Sequence, residues 1–237
     1  MHHEYKRRYF MKSIGRISVL LAFLLSSSQL TADDFGFRFG LNVSPNLSWF
    51  RTETAHYLNR GVDFGFSYGL IADYEFAQNY AITSGLNVLH TGGSIKYENP
   101  QSNLEDRRWD YQLRYLEVPL ALKLRLEEMG FLTGYGKFGL GLGFNVSAKA
   151  EEKIYNLDGS TTNKPETDVS NDIRFLRGSL ILGAGAEYSL GGRSAIVAGI
   201  TFHNGFANVL DREPIGDDGR SPSAMNSYVE LTLGVMF

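Results

Sequence analysis

Nine ionisable side chains lie on the polar side of otherwise apolar, alternating segments: Arg38, Asp73, Glu75, Glu117, Lys123, Arg125, Lys137, Glu187 and Glu230. Their chemistry would be ion pairing across an enclosed polar interior, or the passage of ions or protons through it. The signs nearly balance, and buried charges persist where they are paired. The pattern therefore predicts a structural charge network that plugs the interior. The competing readings are a narrow selective path and a proton-sensitive plug.

Catalysis finds little material. A hydrolase needs a nucleophile or an activated water beside a base. His203 lies on the polar face, His90 is assigned to the opposite face, and His2 and His3 belong to the N-terminal leader. No Ser, His and acid set can be assembled from strand ends, so no catalytic residue and no enzymatic activity are expected. Asp217, Asp218 and Gly219 resemble a fragment of a calcium loop without its remaining ligands and read as a turn. Gly139, Gly141 and Gly143 alternate with Leu140 and Leu142 inside a strand instead of opening a helix, so they are lumen space rather than a phosphate cradle. The space suits a bulky neighbour such as Arg38 or Lys123. No metal or cofactor is expected.

The elements that would hold these side chains are β-strands. Phe35, Phe37, Phe39, Leu41 and Val43 alternate with Gly36, Arg38, Gly40, Asn42 and Ser44, a period of two. The alternation recurs at 64–76, from Tyr80 to about Tyr97, at 115–126, 137–146, 176–190 and 196–203, and at 228–237. Short turns fall at 77–79, 127–130 and 191–193. Longer polar stretches fall after Tyr97, at about 151–172 and at about 205–225. Eight strands with alternating short turns and long loops predict an all-β fold, an eight-stranded antiparallel up-and-down transmembrane β-barrel. The short turns would face the periplasm and the long loops the cell exterior.

Aromatic residues suit two interfacial girdles. Phe37, Tyr74, Phe76, Tyr80, Phe131, Tyr188 and Phe237 fall near the periplasmic ends, and Trp49, Phe64, Tyr97, Trp109, Phe175 and Phe206 near the other rim. A soluble sandwich or lipocalin-like barrel is the rival reading, and it would want the charge-rich faces outside.

The N-terminus has the grammar of a secretory signal peptide over residues 1–32. Lys6, Arg7, Arg8, Lys12 and Arg16 form a basic region, Ile17 to Leu25 an apolar one, and Ser26 to Ala32 a small, polar one. Its apolar run is about half the roughly 20 residues that a membrane helix needs. The mature barrel domain then spans 33–237, in the bacterial outer membrane. A net charge of -3 without a basic patch past the leader points away from nucleic acid, and the absence of cysteine excludes disulfides, thiolate metal sites and a lipidated anchor.

Arg114 to Arg125, RYLEVPLALKLR, resembles the strand motif of the PorT-like outer-membrane β-barrel proteins of the Bacteroidetes, with Leu116, Glu117, Val118 and Pro119 its most specific part. Supporting features are FGFRFGLNVSPNLS at 35–48, GLIADYEFAQNYAITSGLNV at 69–88, GAGAEYSL at 183–190 and the terminal Phe237. The resemblance implies an outer-membrane barrel. For the protein that gives the family its name, it implies an accessory role in type IX secretion, the export of proteins that carry a C-terminal sorting domain. The expected partners are outer-membrane lipid, the barrel assembly machinery, which would read Gly234 and Phe237 as an insertion signal, and other secretion components. Pro119 has no N–H to donate, so it should mark a bulge or a break in the ladder.

Overall fold

The structure is a computed structural model that describes residues 36–98, 106–156, 158–212 and 221–237. The leader at 1–32, the domain start at 33, and Asp217, Asp218 and Gly219 lie outside the described residues. The strands are β1 (Phe37–Thr52), β2 (Tyr57–Ala77), β3 (Tyr80–Tyr97), β4 (Asp106–Arg125), β5 (Leu132–Tyr155), β6 (Thr161–Asp168), β7 (Leu176–Gly191), β8 (Ser194–Gly205) and β9 (Ala224–Met236), with one 3-10 turn at Ser170–Asp172. Each ring strand pairs antiparallel with its neighbours in the order β1, β2, β3, β4, β5, β7, β8, β9. Pairing of β1 with β9, from Gly40 opposite Met236 to Thr52 opposite Ala224, closes the ring. The eight-stranded antiparallel barrel is therefore present, and β6 is a ninth strand outside it.

Alternation decides which face each residue takes. Phe37, Phe39, Leu41, Val43 and Leu47 of β1 all point outward with about half their surface exposed, while Arg38, Ser44, Asn46 and Ser48 are buried inside. The same inversion runs round the ring. An exposed apolar surface that is this continuous has no stable partner in water. Between Phe37 and Trp49 it spans on the order of 30 Å at ordinary strand rise and tilt, the thickness of a hydrocarbon core.

The stretch at about 151–172, expected as a loop, is instead ladder. β5 runs on to Tyr155, and β6 pairs back on it from Lys149 opposite Asp168 to Tyr155 opposite Thr161. β4 likewise begins at Asp106, inside the expected interruption. These segments project beyond the apolar belt, where one face meets water and the other meets water or a private core. Hydrophobic alternation then vanishes from the sequence while the backbone hydrogen bonds persist.

Tyr97 and Trp109 do not join the outer girdle. Both are buried, with Phe50, Tyr57, Tyr111, Leu113, Ile173, Val209 and Leu210, in an apolar core inside the extracellular half. Their parity carries them inward with Leu89 and Tyr115. Phe64, Phe175 and Phe206 do stand exposed near that rim, and the periplasmic set of seven aromatics is exposed at the other.

Pro119 interrupts one ladder without shifting it. Pairing of β4 with β3 skips from Leu120 opposite Ser84 to Glu117 opposite Asn87 at unchanged register, and Ser84 Oγ donates to the Pro119 carbonyl at 2.9 Å. The register shift of this strand falls instead between Arg114 and Tyr115, against β5, where Val146 of β5 is the extra residue.

Candidate functional site

The lumen holds two layers of charge. Toward the periplasmic end, Arg38 of β1, Asp73 and Glu75 of β2, Lys123 and Arg125 of β4, and Glu187 of β7 form one connected set. Arg38 reaches Glu75 at 3.1 Å and Glu187 at 2.9 Å. Lys123 Nζ donates to Asp73 at 2.7 Å and also to Glu187. Arg125 reaches Glu75 at 2.7 Å and Glu187 at 3.3 Å. Thr83 Oγ1 donates to the other Asp73 oxygen at 2.7 Å. Glu187 thus receives three cations. Three cations and three anions cancel within the layer, and Lys123 also lies 4.6 Å from the centre of the Tyr135 ring.

The second layer sits higher. Arg177 of β7, fully buried, donates to Glu117 Oε2 at 2.7 Å and to the Asn226 carbonyl at 3.0 Å. Tyr228 Oη donates to Glu117 Oε1 at 2.8 Å. The Arg177 guanidinium lies 5.0 Å from the Tyr228 ring centre, and His203 stacks on that ring at 4.1 Å. His203 Nε2 is 3.2 Å from Glu230, its Nδ1 is 3.5 Å from Glu117, and Ser67 Oγ donates to Glu230 at 3.1 Å. A serine, a histidine and acids do meet here, in the wrong order for nucleophilic chemistry. The hydroxyl bonds the acid, both imidazole nitrogens face acids, and Ser67 and His203 are buried.

Lys137 does not pair as expected. No carboxylate of a described residue lies within 4.0 Å of it. It stands directly opposite Lys123, and Lys123 takes the carboxylates of the lower layer. Lys137 lines a cavity of about 50 Å³ between the layers, together with Glu117, His203 and Glu230, room for only a few waters.

The glycine series is also filled differently. A Cβ on Gly141 would lie 3.5 Å from Glu117, and one on Gly143 would meet Arg177 and Tyr115 at 3.4 and 3.5 Å. Arg177 and Tyr115, not Arg38 or Lys123, lie across that space. Arg177 escaped the sequence reading although it shares the parity of Glu187, ten residues earlier on β7. Its flanking glycine and serine left the strand start without clear alternation. Gly234 pairs with Asn42 and Val197, and Phe237, paired through both backbone groups with Phe39, exposes its ring at the periplasmic rim.

Above the second layer the apolar core closes the interior. Phe50 meets Tyr111 edge to face at 5.7 Å, Arg212 lies over Trp109 at 4.8 Å and donates to Tyr111 Oη at 3.0 Å, and Ile173 bridges to Leu210. Residues 169–175 and 206–212 thereby fold into the mouth.

A closed antiparallel ring with an apolar belt and a charged, self-neutralised lumen defines an outer-membrane β-barrel. The chain belongs to the outer membrane protein beta-barrel domain family, which it matches over residues 28–211. No curated protein matches it by sequence. Among solved structures it is similar to the outer membrane protease OmpT of Escherichia coli, at 10% identity over 90% of this chain and 99% of that one, with a TM-score of 0.50. It is also similar to the outer membrane protein OprG of Pseudomonas aeruginosa, at 12% identity, 85% and 96% coverage and a TM-score of 0.45. The attachment invasion locus protein Ail of Yersinia pestis follows at 18% identity, 85% and 99% coverage and a TM-score of 0.37. These likenesses concern the fold alone. The protein resides in the bacterial outer membrane, with lipid against its outer wall.

Proposed function

We propose that the barrel is a non-catalytic docking platform, in which the plugged lumen is a structural strut and the extracellular extension of β4, β5 and β6 meets partners. The observation that carries this reading is the double charge layer, closed above by an apolar core. Six interlocked charges below and the Arg177–Glu117 pair above are compensated in place, and Lys137, the lumen cation that no carboxylate of a described residue reaches, lines a cavity with room for only a few waters. An eight-stranded ring is in any case only wide enough for its own side chains. In planar bilayers the purified protein is expected to show no stepwise conductance; steady unitary currents would overturn the plug and revive the pore.

The secretion reading gives this platform a particular setting: an accessory or assembly component of type IX export. Its support is the likeness of residues 114–125 to the PorT-like motif, with Glu117 of that motif bonded to Arg177 and Tyr228. A deletion strain should accumulate sorting-domain cargo in the periplasm; normal export and surface attachment would refute it. The general surface-barrel reading is favoured by β6, a fully exposed edge strand, onto which an extended partner could pair. Excising 156–168 should then abolish partner or cell binding and leave the barrel intact. Membrane insertion is assigned to the barrel assembly machinery reading Gly234 and Phe237. A Phe237→Ser chain should lower the inserted fraction; unchanged insertion would remove that role.

A further inference from the structure

Outside the lumen, one cation faces the membrane boundary without a counter-charge. Arg114 lies on the outward face of β4, exposed, in a row that crosses four strands: Phe66 on β2, His90 on β3, Arg114 on β4 and Ser147 on β5. The row on its membrane side is Val88 and Leu116, the end of the apolar belt; the row on its outer side holds Gln112 and Lys149. Arg114 therefore sits where hydrocarbon gives way to headgroups. Every other described arginine has an ion pair or a hydrogen bond to a described residue, from Arg38 and Arg177 inside to Arg51, Arg60 and Arg193 outside. Arg114 has neither among the described residues.

The wall is also opened at this point. The β2–β3 register slips between Gly61 and Phe66, and the β4–β5 register slips between Arg114 and Tyr115. Between the two irregularities lies a cleft of about 360 Å³, lined among others by Asp63, Phe66, His90, Gln112, Arg114 and Lys149. His90 stacks on Phe66 at 4.4 Å, and its Nδ1 is buried without a partner in the described residues. Lys149 is held by Glu166 of β6 at 2.6 Å, and Asp63 accepts the Phe64 amide at 3.0 Å. Phe66 in this row and Tyr68 on its membrane side expose their rings.

We infer that this cleft binds the phosphorylated sugar headgroup of an outer-leaflet glycolipid. The guanidinium takes the phosphate, since charge-assisted bonds from arginine match phosphate geometry. Lys149 adds a second positive charge once the anion competes with Glu166. Asp63, Gln112 and Ser147 offer what sugar hydroxyls need, an acceptor, an amide and a hydroxyl. That mixture fits a sugar phosphate better than bare phosphate, which the Asp63 carboxylate would repel. The exposed rings below would lie against the acyl chains.

The test is native mass spectrometry of the detergent-solubilised full chain titrated with a bisphosphorylated glucosamine disaccharide glycolipid, its dephosphorylated form, and inorganic phosphate. The phosphorylated glycolipid should bind, the dephosphorylated form about tenfold or more weaker, and inorganic phosphate not measurably. Arg114→Gln should lose about tenfold, the scale of one charge-assisted contact. Arg51→Gln, which alters an exposed arginine elsewhere, should change nothing. Retention of a heat-shifted band by Arg114→Gln verifies that its barrel is intact. Equal binding of the dephosphorylated lipid, or of lipid by Arg114→Gln, overturns the site. Saturation by inorganic phosphate alone, blocked by Arg114→Gln, overturns the glycolipid assignment in favour of a free-phosphate site.

Discussion

Truncation of Glu117 offers the sharpest trial of the plug. Its Oε2 accepts from Arg177 at 2.7 Å and its Oε1 from Tyr228 at 2.8 Å, and the Arg177 and Glu117 side chains are 0% and 3% exposed. Glu117→Ala removes one charge and two acceptors, and leaves a guanidinium whose remaining hydrogen-bond partner among the described residues is the Asn226 carbonyl. Breaking a buried pair by deleting one partner costs about 3–5 kcal/mol. The neighbouring cavity of about 50 Å³ and the vacated volume admit water to the orphaned cation, which places the expected loss near the lower end, about 3 kcal/mol. Arg177→Met in the same chain removes the orphan. The loss in the double variant should then be about 2 kcal/mol smaller than the sum of the single losses, a coupling typical of residues in one network. Urea unfolding in phospholipid vesicles, followed by the fluorescence of Trp49 and Trp109, measures all three variants. A Glu117→Ala loss below about 0.5 kcal/mol, or strict additivity with Arg177→Met, would refute the reasoning, because either result means that the lumen solvates Arg177 without its carboxylate.

Three further outcomes follow from the geometry. The folded protein in the outer-membrane fraction should migrate differently on gels with and without boiling; a soluble band with no shift would contradict the closed ring. Gly139→Val should abolish that shift, because even a Cβ at this position would lie 2.2 Å from the Leu120 carbonyl oxygen and 2.4 Å from the Ala121 Cα, both backbone atoms of the paired strand; a normal shift would show that β4 and β5 can separate there. Asp110, above the apolar belt, is pushed up by burial but pulled down further by hydrogen bonds from Ser94, Lys153 and Arg108, so its carboxyl lies below its ordinary range. A depressed carboxylate contributes stability in full above its unfolded value and loses it as pH falls through the folded one. In a Trp49→Phe background, Trp109 emission should therefore hold steady from neutral pH down to about 4 and change only below that; a change near pH 6 would contradict it.

The membrane half of this fold was legible because its physics writes directly into the sequence. Lipid demands an apolar residue at every second position, and the lumen accepts Arg38, Asp73 or Glu187 at the others, so both the faces and the ring of eight could be read. Beyond the belt, both faces of a strand meet water or a private core, and that rule lapses. Lys149 to Tyr155 carries Lys, Glu and Tyr on the exposed side, and its partner Thr161–Asp168 carries no apolar residue. Nothing in such a pattern separates ladder from loop. Tyr97 and Trp109 illustrate the complementary error. Their level along the barrel suggested a girdle, but their parity, readable all along, sends them inside. The partners within the lumen were out of reach, since Arg38 and Glu187 lie 149 residues apart and meet only once the ring has closed.

Charge compensation also separates what this barrel can do from what it cannot. Glu187 binds Arg38, Lys123 and Arg125 at once, and two of those cations also hold Glu75, so no single side chain can swing aside without leaving a buried charge behind. A gate built on that layer would need a trigger worth several kcal/mol per displaced ion. Ligand binding at a loop rarely couples that strongly, since allosteric couplings are typically about 1–3 kcal/mol. The layer therefore acts as a rigid brace at working temperatures. What remains adjustable lies where charges are compensated loosely or by the surroundings: Lys149 and Lys164 on exposed pairs across the β5–β6 extension, and Arg114 on the outer wall. On the proposed reading, recognition would belong to those surfaces, and the lumen would supply the stiffness with which they are held.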